Sequence, residues 1–419
     1  MKKILISILS ILPILSLAHA QDVPQYFPQK AIDFDVRGGV GNTFEKLKAG
    51  KDVTIAYLGG SITAMNGWRN KTTDWLRREF PNANVKEIHA AIGGTGSDLG
   101  AFRVGRDALD HNPDLLFVEF AVNDGGAAPE NIWKQMEGIV RQTWKRNPRT
   151  DIVFVYTIHN SMCDTVRKGE FPRSAGAMEM LADFYQIPSV NFQTRVVKMI
   201  DEGTLVFKGD APTPETIVFS GDDCHPKDAG HQLYFLDIER AFNAMRDIEP
   251  TDHAPKLEKI FIEGNLENAK SVPITREMLH GNWKIVQEGE PFFGFSNRLG
   301  TVWIANEPGS AVEFKFRGSV VKMYDILGPN FGQVYVTLDG VKKGPFPRFD
   351  SYCSWSRLAT LTCGNNLDPN EIHTIRVEID AQQPSRSSVP ESAEKPEKYD
   401  GTNYVTGLLL LVGEIVDTP

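Results

Sequence analysis

Cysteine is scarce in this sequence of 419 residues, which contains only four. No two of them form a Cys-x-x-Cys pair, and the cysteines and histidines do not show the clustered spacing that is typical of zinc sites. We therefore predict no metal site, and we expect no cofactor. The cysteines are Cys163, Cys224, Cys353 and Cys363.

The sequence also lacks an excess of positive charge. Its 45 lysines and arginines are outnumbered by 54 aspartates and glutamates, which gives a formal net charge of −9, and no long basic run is present. Because nucleic-acid binding depends on clustered positive charge, we do not expect nucleic acid as a partner. No apolar run beyond residue 20 is long enough to cross a bilayer, so no membrane span is expected in the mature protein.

The one long apolar run lies at the start of the chain. Two lysines precede the apolar stretch 4–17, and small residues follow it up to Ala20. This order is typical of a secretory signal peptide, which we predict for residues 1–20. No cysteine follows the cut site, so a lipid anchor is not indicated. We expect a secreted or periplasmic protein, in a compartment where disulfides can form.

Strand-like and helix-like segments alternate between residues 52 and 245. This alternation is typical of a mostly parallel sheet with helices on both faces. We therefore predict a flavodoxin-like α/β domain over residues 21–250, in which residues 21–50 form a lead-in with turn chemistry. The predicted strands are 53–58, 85–90, 115–121, 152–156 and 189–192, and the predicted helices are 72–80, 100–110, 129–146, 175–185 and 228–245.

The pattern changes near Pro250, where two prolines and intervening charges indicate a linker. Short alternating runs dominate from residue 282 onward and predict an all-β sandwich over residues 251–419. The predicted strands are 301–305, 311–316, 320–326, 333–338, 373–379 and 404–415, with a loop at 385–398.

Ser61 follows the first predicted strand in the stretch Leu58-Gly59-Gly60-Ser61-Ile62-Thr63. Strand, glycine turn, serine and helix in this order place a hydroxyl above the carboxyl end of a sheet, where ligands bind in open α/β folds. Ser61 is therefore a candidate nucleophile, provided that a base lies within hydrogen-bond distance. The alternative is an ordinary turn in which the serine only caps the helix.

Two further loops at predicted strand ends carry hydrogen-bond donors. The backbone N–H of Gly94, in a glycine-rich loop, and the side-chain amide of Asn123, after the third strand, are both suited to an oxyanion. Each has a simpler interpretation: an ordinary strand-to-helix turn at Gly94 and an Asx-turn at Asn123.

A possible base lies in the stretch Ser220–Pro226, where Asp222 precedes His225 by three residues. A carboxylate on one ring nitrogen fixes the imidazole tautomer and leaves the other nitrogen to deprotonate a serine. The residues alone do not distinguish Asp222 from Asp223 as the partner. His231 is predicted to lie on the following helix, facing away from this loop.

Four blocks in this order resemble those of the SGNH (GDSL-type) hydrolase superfamily: Gly59–Thr63, Ile92–Gly96, Val122–Asp124 and Asp222–Pro226. The first block departs from the G-D-S-L spelling, with Gly60 for Asp and Ile62 for Leu. The resemblance covers about residues 50–245. It implies that Ser61 is the nucleophile and His225 the base, oriented by Asp222 rather than Asp223. It also implies an oxyanion hole formed by Ser61 N–H, Gly94 N–H and the Asn123 amide.

The second domain resembles, less specifically, the jelly-roll domains joined to SGNH modules in bacterial carbohydrate esterases. The stretches that carry this resemblance are 312–318 and 332–340. Its aromatic side chains are candidates for stacking on sugar, although core packing is the expected role of most of them. The candidates are Trp303, Tyr324, Tyr335 and Trp355.

Together these features predict an exported serine esterase that removes O-acyl groups, chiefly O-acetyl, from a polysaccharide or oligosaccharide. The expected partner is an acylated carbohydrate. Two alternatives stand beside this one. The first is a lipase, lysophospholipase or thioesterase of the same superfamily, and the second is a non-catalytic glycan-binding protein.

The cysteines suggest two disulfides in an exported protein. Cys353 and Cys363 are close in sequence and suit a hairpin clamp or a closed loop. Cys163 and Cys224 are both expected at the carboxyl edge of the predicted sheet, where a disulfide between them would tie the His225 loop in place. The competing interpretation is that Cys224 is a buried free thiol.

Overall fold

The computed structural model describes residues 24–416. The predicted signal peptide at residues 1–20 lies outside the described residues. Within residues 24–416, no helix is both long enough and apolar enough to cross a membrane.

The first domain is built on a six-stranded sheet in the order β1-β6-β5-β4-β2-β3. Strands β2 to β6 are parallel, and β1 pairs antiparallel with β6 at one edge. The parallel strands have the flavodoxin-like order, which confirms the predicted fold class. The strands are β1 (Phe34–Asp35), β2 (Asp52–Gly59), β3 (Asn84–Ala91), β4 (Leu115–Glu119), β5 (Asp151–Tyr156) and β6 (Ser189–Asn191), and a separate parallel pair consists of β7 (Leu205–Lys208) and β8 (Ile217–Ser220).

Helices cover both faces of this sheet. Alternate residues of β2 point to opposite faces, as the two-residue period of a strand requires: Tyr57 joins the apolar core under α1, α3, α8 and α9, and Leu58 joins the core under α4, α5 and α7. The helices are α1 (Gly41–Lys48), α2 (Ser61–Ala64), α3 (Trp68–Glu79), α4 (Ser97–Asp107), α5 (Pro129–Arg146), α6 (Cys163–Arg167), α7 (Arg173–Tyr185), α8 (Gln193–Asp201) and α9 (Asp228–Met245).

Some elements differ from the prediction. The lead-in contains a helix, α1, whose Phe44 and Leu47 are buried against the sheet. Helices α3 and α4 begin directly after Gly67 and Gly96, several residues before the predicted starts. Each first turn contains a single apolar residue, Trp68 in α3 and Leu99 in α4, which is too few to extend the helical period in the sequence.

The second domain contains a ten-stranded antiparallel sheet centred on the long strand β13. The first half of β13 pairs with β17, and its second half pairs with β16. The strands are β9 (Ala269–Pro273), β10 (Leu279–His280), β11 (Lys284–Ile285), β12 (Trp303–Ala305), β13 (Ala311–Leu327), β14 (Gln333–Leu338), β15 (Val341–Pro347), β16 (Arg357–Gly364), β17 (Ile372–Ile379) and β18 (Tyr404–Val416), with short helices α10 (Ser296–Leu299), α11 (Glu391–Glu394) and α12 (Pro396–Tyr399).

Two glycines allow β13 and β18 to approach closely in the middle of their pairing. Gly318 and Gly413 face each other with φ of 155° and 144°, and the register shifts at this point. A methyl group on either glycine would overlap the backbone of the other strand. The sheet therefore has its irregularity where only glycine fits.

The two domains share an apolar interface along α4. Leu99 and Phe102 of α4 belong to one buried cluster with Tyr324, Ile326 and Leu410 of the second domain. Helix α4 follows the glycine-rich loop that contains Gly94. The β-domain therefore packs against the element that supports one of the candidate oxyanion donors.

The segment that follows Pro250 packs on the first domain. His253 Nε2 lies 3.2 Å from Asp151 Oδ1, and the backbone N–H of Ile262 donates to Glu137 Oε2 at 2.9 Å. These buried contacts bind the predicted linker to the α/β layer before the chain enters β9.

The predicted disulfide between Cys353 and Cys363 is wrong, because both thiols are free in the structure. Cys363 is in the core of the sandwich, whereas Cys353 lies in a separate small cluster with Phe349 and Tyr399. The strand from Arg357 to Cys363 spans about 20 Å at roughly 3.3 Å per residue, which carries the second thiol away from the first.

The aromatic side chains considered for sugar stacking have different environments. Trp303 is buried in the core of the β-domain, and Tyr324 is buried in the cluster that this domain shares with α4. The ammonium group of Lys342 lies 4.0 Å from the ring centre of Tyr335. Trp355 is 57% exposed. Only this last ring is freely accessible.

Candidate active site

Ser61 is the first residue of α2, directly above the carboxyl end of β2. Strand β2 lies between β3 and β4, so the chain leaves β2 toward one neighbour and later returns to the other. This is the topological switch point, where ligands bind in open α/β sheets. The local sequence thus presents the hydroxyl in the place that a binding crevice requires.

His225 lies in the loop between β8 and α9, within reach of Ser61. Its Nε2 is 2.8 Å from Ser61 Oγ, and its Nδ1 is 2.8 Å from Asp222 Oδ2. Serine, imidazole and carboxylate therefore form one continuous hydrogen-bonded chain. This geometry lets the imidazole take the serine proton while the carboxylate holds the ring in the required tautomer.

The loop also holds the Asp222 carboxylate in place. Its Oδ1 accepts the backbone N–H groups of Cys224 and His225, each at 2.7 Å. The hydrogen bond with the His225 ring, followed by that with the His225 backbone, holds the pKa of Asp222 well below its usual range. Asp223 points elsewhere and pairs with Lys208 at 3.1 Å. The structure thus places Asp222, not Asp223, on the imidazole.

The candidate oxyanion donors surround the same serine. The Asn123 side chain packs on the α-carbon of Gly60, immediately before Ser61. A Cβ on Gly93 would lie 3.6 Å from Ser61 Cβ, so the glycine-rich loop passes directly beside the serine. Gly94, the next residue, has φ of 73°, a left-handed conformation that favours glycine.

Asp124 is a structural partner of this loop whose role was not predicted from the sequence. Its buried Oδ1 accepts the backbone N–H of Ser97 at 3.0 Å, just after the glycine-rich loop. Burial raises the pKa of Asp124 to about 7. One short stretch therefore supplies both Asn123 and a carboxylate that holds the loop of Gly94. The signal available in the sequence was the adjacent acid in Val122–Asp124.

The predicted Cys163–Cys224 disulfide is also wrong, because both cysteines are free. Both side chains pack into the apolar core beneath the site, and burial raises the pKa of each thiol to about 11. Hydrogen bonds tie the loop instead: Asn160 N–H donates to the Asp223 carbonyl at 2.9 Å, and Asn160 Nδ2 donates to Asp223 Oδ1 at 3.1 Å.

His231 lies on α9 and does not join the hydrogen-bonded chain. Its ring is buried against Gly67, and neither ring nitrogen has a hydrogen-bond partner among residues 24–416. Burial lowers its pKa to about 4, so the ring is neutral and serves packing.

A cavity of about 360 Å³ adjoins the oxyanion loop. Val122 and Gly125, which flank Asn123, form one wall, and His159 and Arg173 contribute polar groups. Because His159 Nδ1 accepts the N–H of Ser161 at 3.1 Å, its Nε2 carries the proton of the neutral ring. The cavity therefore offers hydrogen-bond donors next to the candidate site. Within the described range, no group of three or more His, Cys, Asp or Glu residues is arranged to hold a metal ion.

Residues 57–233 match the family model described as the GDSL-like Lipase/Acylhydrolase family. This match contains all four blocks around the hydrogen-bonded serine. The α/β domain belongs to the GDSL-like lipase/acylhydrolase family. This domain is therefore the catalytic domain of a carboxylic ester hydrolase. No curated protein sequence matches the chain.

The fold of the GDSL-like domain and its β-domain together is found in solved structures. One is a two-domain esterase (CEX) active on acetylated mannans, co-crystallized with mannopentaose, with 19% identity, a TM-score of 0.69, and coverage of 94% of this chain and 100% of that chain. A second structure of a two-domain esterase (CEX) active on acetylated mannans has 19% identity and a TM-score of 0.68, with coverage of 89% and 94%. At this identity the likeness establishes a shared two-domain fold.

Proposed function

We propose that this protein is an exported serine esterase that removes O-acetyl groups from a polysaccharide or oligosaccharide. The observation that carries the proposal is the continuous chain of 2.8 Å hydrogen bonds from Ser61 through His225 to Asp222. A free serine hydroxyl is a poor nucleophile, and a positioned imidazole beside a carboxylate is what activates it.

In the proposed reaction, Ser61 Oγ attacks the ester carbonyl while His225 Nε2 takes its proton. The negative charge that develops on the carbonyl oxygen is stabilised by the N–H groups of Ser61 and Gly94 and the amide of Asn123. His225 then donates the proton to the sugar oxygen as the bond between that oxygen and the carbonyl carbon breaks, so that the sugar departs with a free hydroxyl. A water molecule, deprotonated by the same imidazole, attacks the acyl-serine and releases acetate.

A carbohydrate substrate is favoured by two observations. The solved structures with which the chain shares both domains are described as esterases active on acetylated mannans. The cavity beside Asn123 has a volume of about 360 Å³. Its lining combines the polar side chains of His159, Ser161, Thr165, Arg173 and Ser174 with the apolar ones of Val122, Met162 and Pro172. Hydroxyl, imidazole and guanidinium groups suit the hydroxyls of a sugar ring, whereas a long acyl chain would need an apolar cleft.

Export is part of the proposal and is supported by the sequence of residues 1–20. Cell-wall polysaccharides lie outside the cytoplasm, so an enzyme that acts on them must reach the periplasm or the medium. Detection of a mature protein that begins at Gln21 would test the cut site.

The activity is tested with nitrophenyl esters of increasing chain length and with acetylated mannan and acetylated xylan, measuring released acetate. We expect hydrolysis of nitrophenyl acetate and of at least one acetylated glycan, and loss of both in Ser61→Ala. A preference for long-chain esters would instead indicate a lipase-type enzyme. Glycan binding without hydrolysis of any ester would overturn the enzymatic proposal.

A further inference from the structure

Glu119 is a fully buried carboxylate that the proposed reaction does not use. It is the last residue of β4 and lies next to Gly59–Ser61, the turn that presents the nucleophile and is called the nucleophile turn below. Burying a charge is costly unless it is paired or hydrogen-bonded. Among the described residues, Glu119 forms no ion pair, and its partners are three hydrogen-bond donors. The site therefore keeps a carboxyl group in its interior, although burial makes its negative charge energetically costly.

The three donors belong to different parts of the site. Thr63 Oγ1 donates to Glu119 Oε2 at 2.9 Å, and Thr157 Oγ1 donates to Oε1 at 2.6 Å. The backbone N–H of Gly60 also donates to this carboxylate. Gly60 and Thr63 enclose Ser61 in sequence, and Thr157 follows β5. One carboxylate therefore joins the ends of three adjacent strands, β2, β4 and β5, directly beneath the serine.

The nucleophile turn needs such an external support. Gly59 and Gly60 precede Ser61, and glycine restricts the backbone less than any other residue. Gly60 has no room for a side chain of its own, because Asn123 occupies that space. Gly60 is consequently held from one side by Asn123 and through its N–H by Glu119. The position of Ser61 relative to Asn123 thus depends on both contacts.

We propose that Glu119 is a positioning residue that fixes the turn around Ser61 and so sets the distance between the serine and its oxyanion donors. This inference rests on the proposed function, since it assigns a role in ester hydrolysis by Ser61. Catalysis is sensitive to displacements of about 1 Å, which can cost on the order of 10²-fold in rate. A buried support therefore affects turnover without touching the substrate.

The test is Glu119→Gln, which keeps the shape of the side chain but replaces an accepting oxygen with an amide nitrogen. We expect kcat on nitrophenyl acetate to fall roughly 10- to 100-fold with KM nearly unchanged, because the positioning of reacting groups is lost and substrate contacts are not. The matched control is Glu137→Gln. Glu137 is also buried and accepts hydrogen bonds from Tyr185 and Phe261, but it anchors the segment after Pro250.

A second pair of variants protects the test against misfolding of Glu119→Gln. Thr157→Val removes one donor to the carboxylate and should lower kcat, whereas Thr157→Ser keeps the hydroxyl and should retain most of the wild-type kcat. A loss of packing would give the opposite order, because serine lacks the methyl group of threonine whereas valine keeps its volume. Melting temperatures measured beside the kinetics separate unfolding from mispositioning.

Equal kcat values for Glu119→Gln and Glu137→Gln, or for the valine and serine variants at position 157, would overturn the positioning role. Failure of the proposed function gives a different result: wild-type protein without esterase activity, or activity that survives Ser61→Ala. An enzyme that depends on Ser61 but is indifferent to Glu119→Gln rejects only the present inference.

Discussion

The side-chain oxygen of Asn123 lies against the α-carbon of Gly60, so closely that a methyl group on Gly60 would overlap it. The residue before the candidate nucleophile is therefore glycine for a steric reason that originates in the turn after β4. The nucleophile turn and the candidate oxyanion donor are packed as one unit, and a change in either should affect the other.

Gly60→Ala should lower kcat by about 10²–10³, the typical cost of displacing one oxyanion donor. The added methyl group pushes the Asn123 amide away while the core remains intact. The control is Gly105→Ala on α4, where a Cβ meets nothing within 4 Å and alanine favours the helix. Steady-state kinetics and thermal melts of both variants check this prediction, and equal kcat values would contradict it.

Asn123→Ala should also lower kcat by about 10²–10³, with a modest change in KM. Removal of the Asn123 side chain also removes the overlap, so Gly60→Ala should cost much less in the Asn123→Ala background than in the wild type. A double-mutant cycle measures this coupling. Additive losses would mean that the two residues act independently, and an effect confined to KM would make Asn123 a substrate-binding residue.

Asp124 makes the stability of the fold depend on pH. Burial raises its pKa to about 7 from the usual 3.8, so between these values the folded protein retains a proton that the unfolded chain has lost. Stability should therefore fall as pH rises through this window, by up to about 4 kcal/mol for this group alone. Asn at position 124 does not titrate, so Asp124→Asn lacks this pH-dependent part of the stability. Its amide oxygen still accepts the N–H of Ser97.

Urea unfolding of wild type and Asp124→Asn between pH 4.5 and 8 measures this effect. The stability of the variant relative to wild type should increase with pH and level off above pH 7. A difference that is constant across the range would show that the carboxyl does not titrate with a raised pKa.

Asn160→Ala should loosen the loop of Asp222 and His225. It removes the 3.1 Å side-chain hydrogen bond to Asp223, while the backbone hydrogen bond between the two residues persists. We expect kcat to fall roughly 2- to 10-fold, which corresponds to about 0.5–1.5 kcal/mol for one hydrogen bond. Arg146→Gln, which removes an exposed ion pair with Asp110 at the end of α5, is the control. An unchanged kcat in Asn160→Ala, or an equal loss in the control, would contradict the role of the Asn160–Asp223 hydrogen bond.

The four thiols should be free in the purified protein. Alkylation after denaturation without reductant should modify all four cysteines. In the folded protein, reaction at neutral pH should be slow, because burial raises the pKa of Cys163 and Cys224 to about 11 and of Cys363 to about 12. Mass mapping checks this prediction, and a peptide pair that separates only on reduction would contradict it. Reductant should leave kcat unchanged.

The alternation of β2 to β6 with the main helices α3, α4, α5, α7 and α9 followed from the sequence alone, because buried strands and amphipathic helices have different apolar periods. The four blocks of the candidate site were equally visible. Each is a short local stretch with glycine, asparagine or histidine at a strand end, where a parallel sheet gathers side chains at one edge. The five predicted strands overlap β2 to β6, whereas α3 and α4 begin earlier than the periodicity predicted.

Contacts between distant segments had no such local signal. A disulfide requires two thiols at a defined separation, and the similar sequence positions of Cys353 and Cys363 did not reveal that an extended strand separates them. Glu119 interrupts the apolar run 115–122, and nothing in that stretch reveals that the segments after β2 and β5 bring Thr63 and Thr157 onto its carboxylate. Local composition determines which elements form. Only the packed sheet decides which polar groups are buried together, because that depends on three strands meeting at one place.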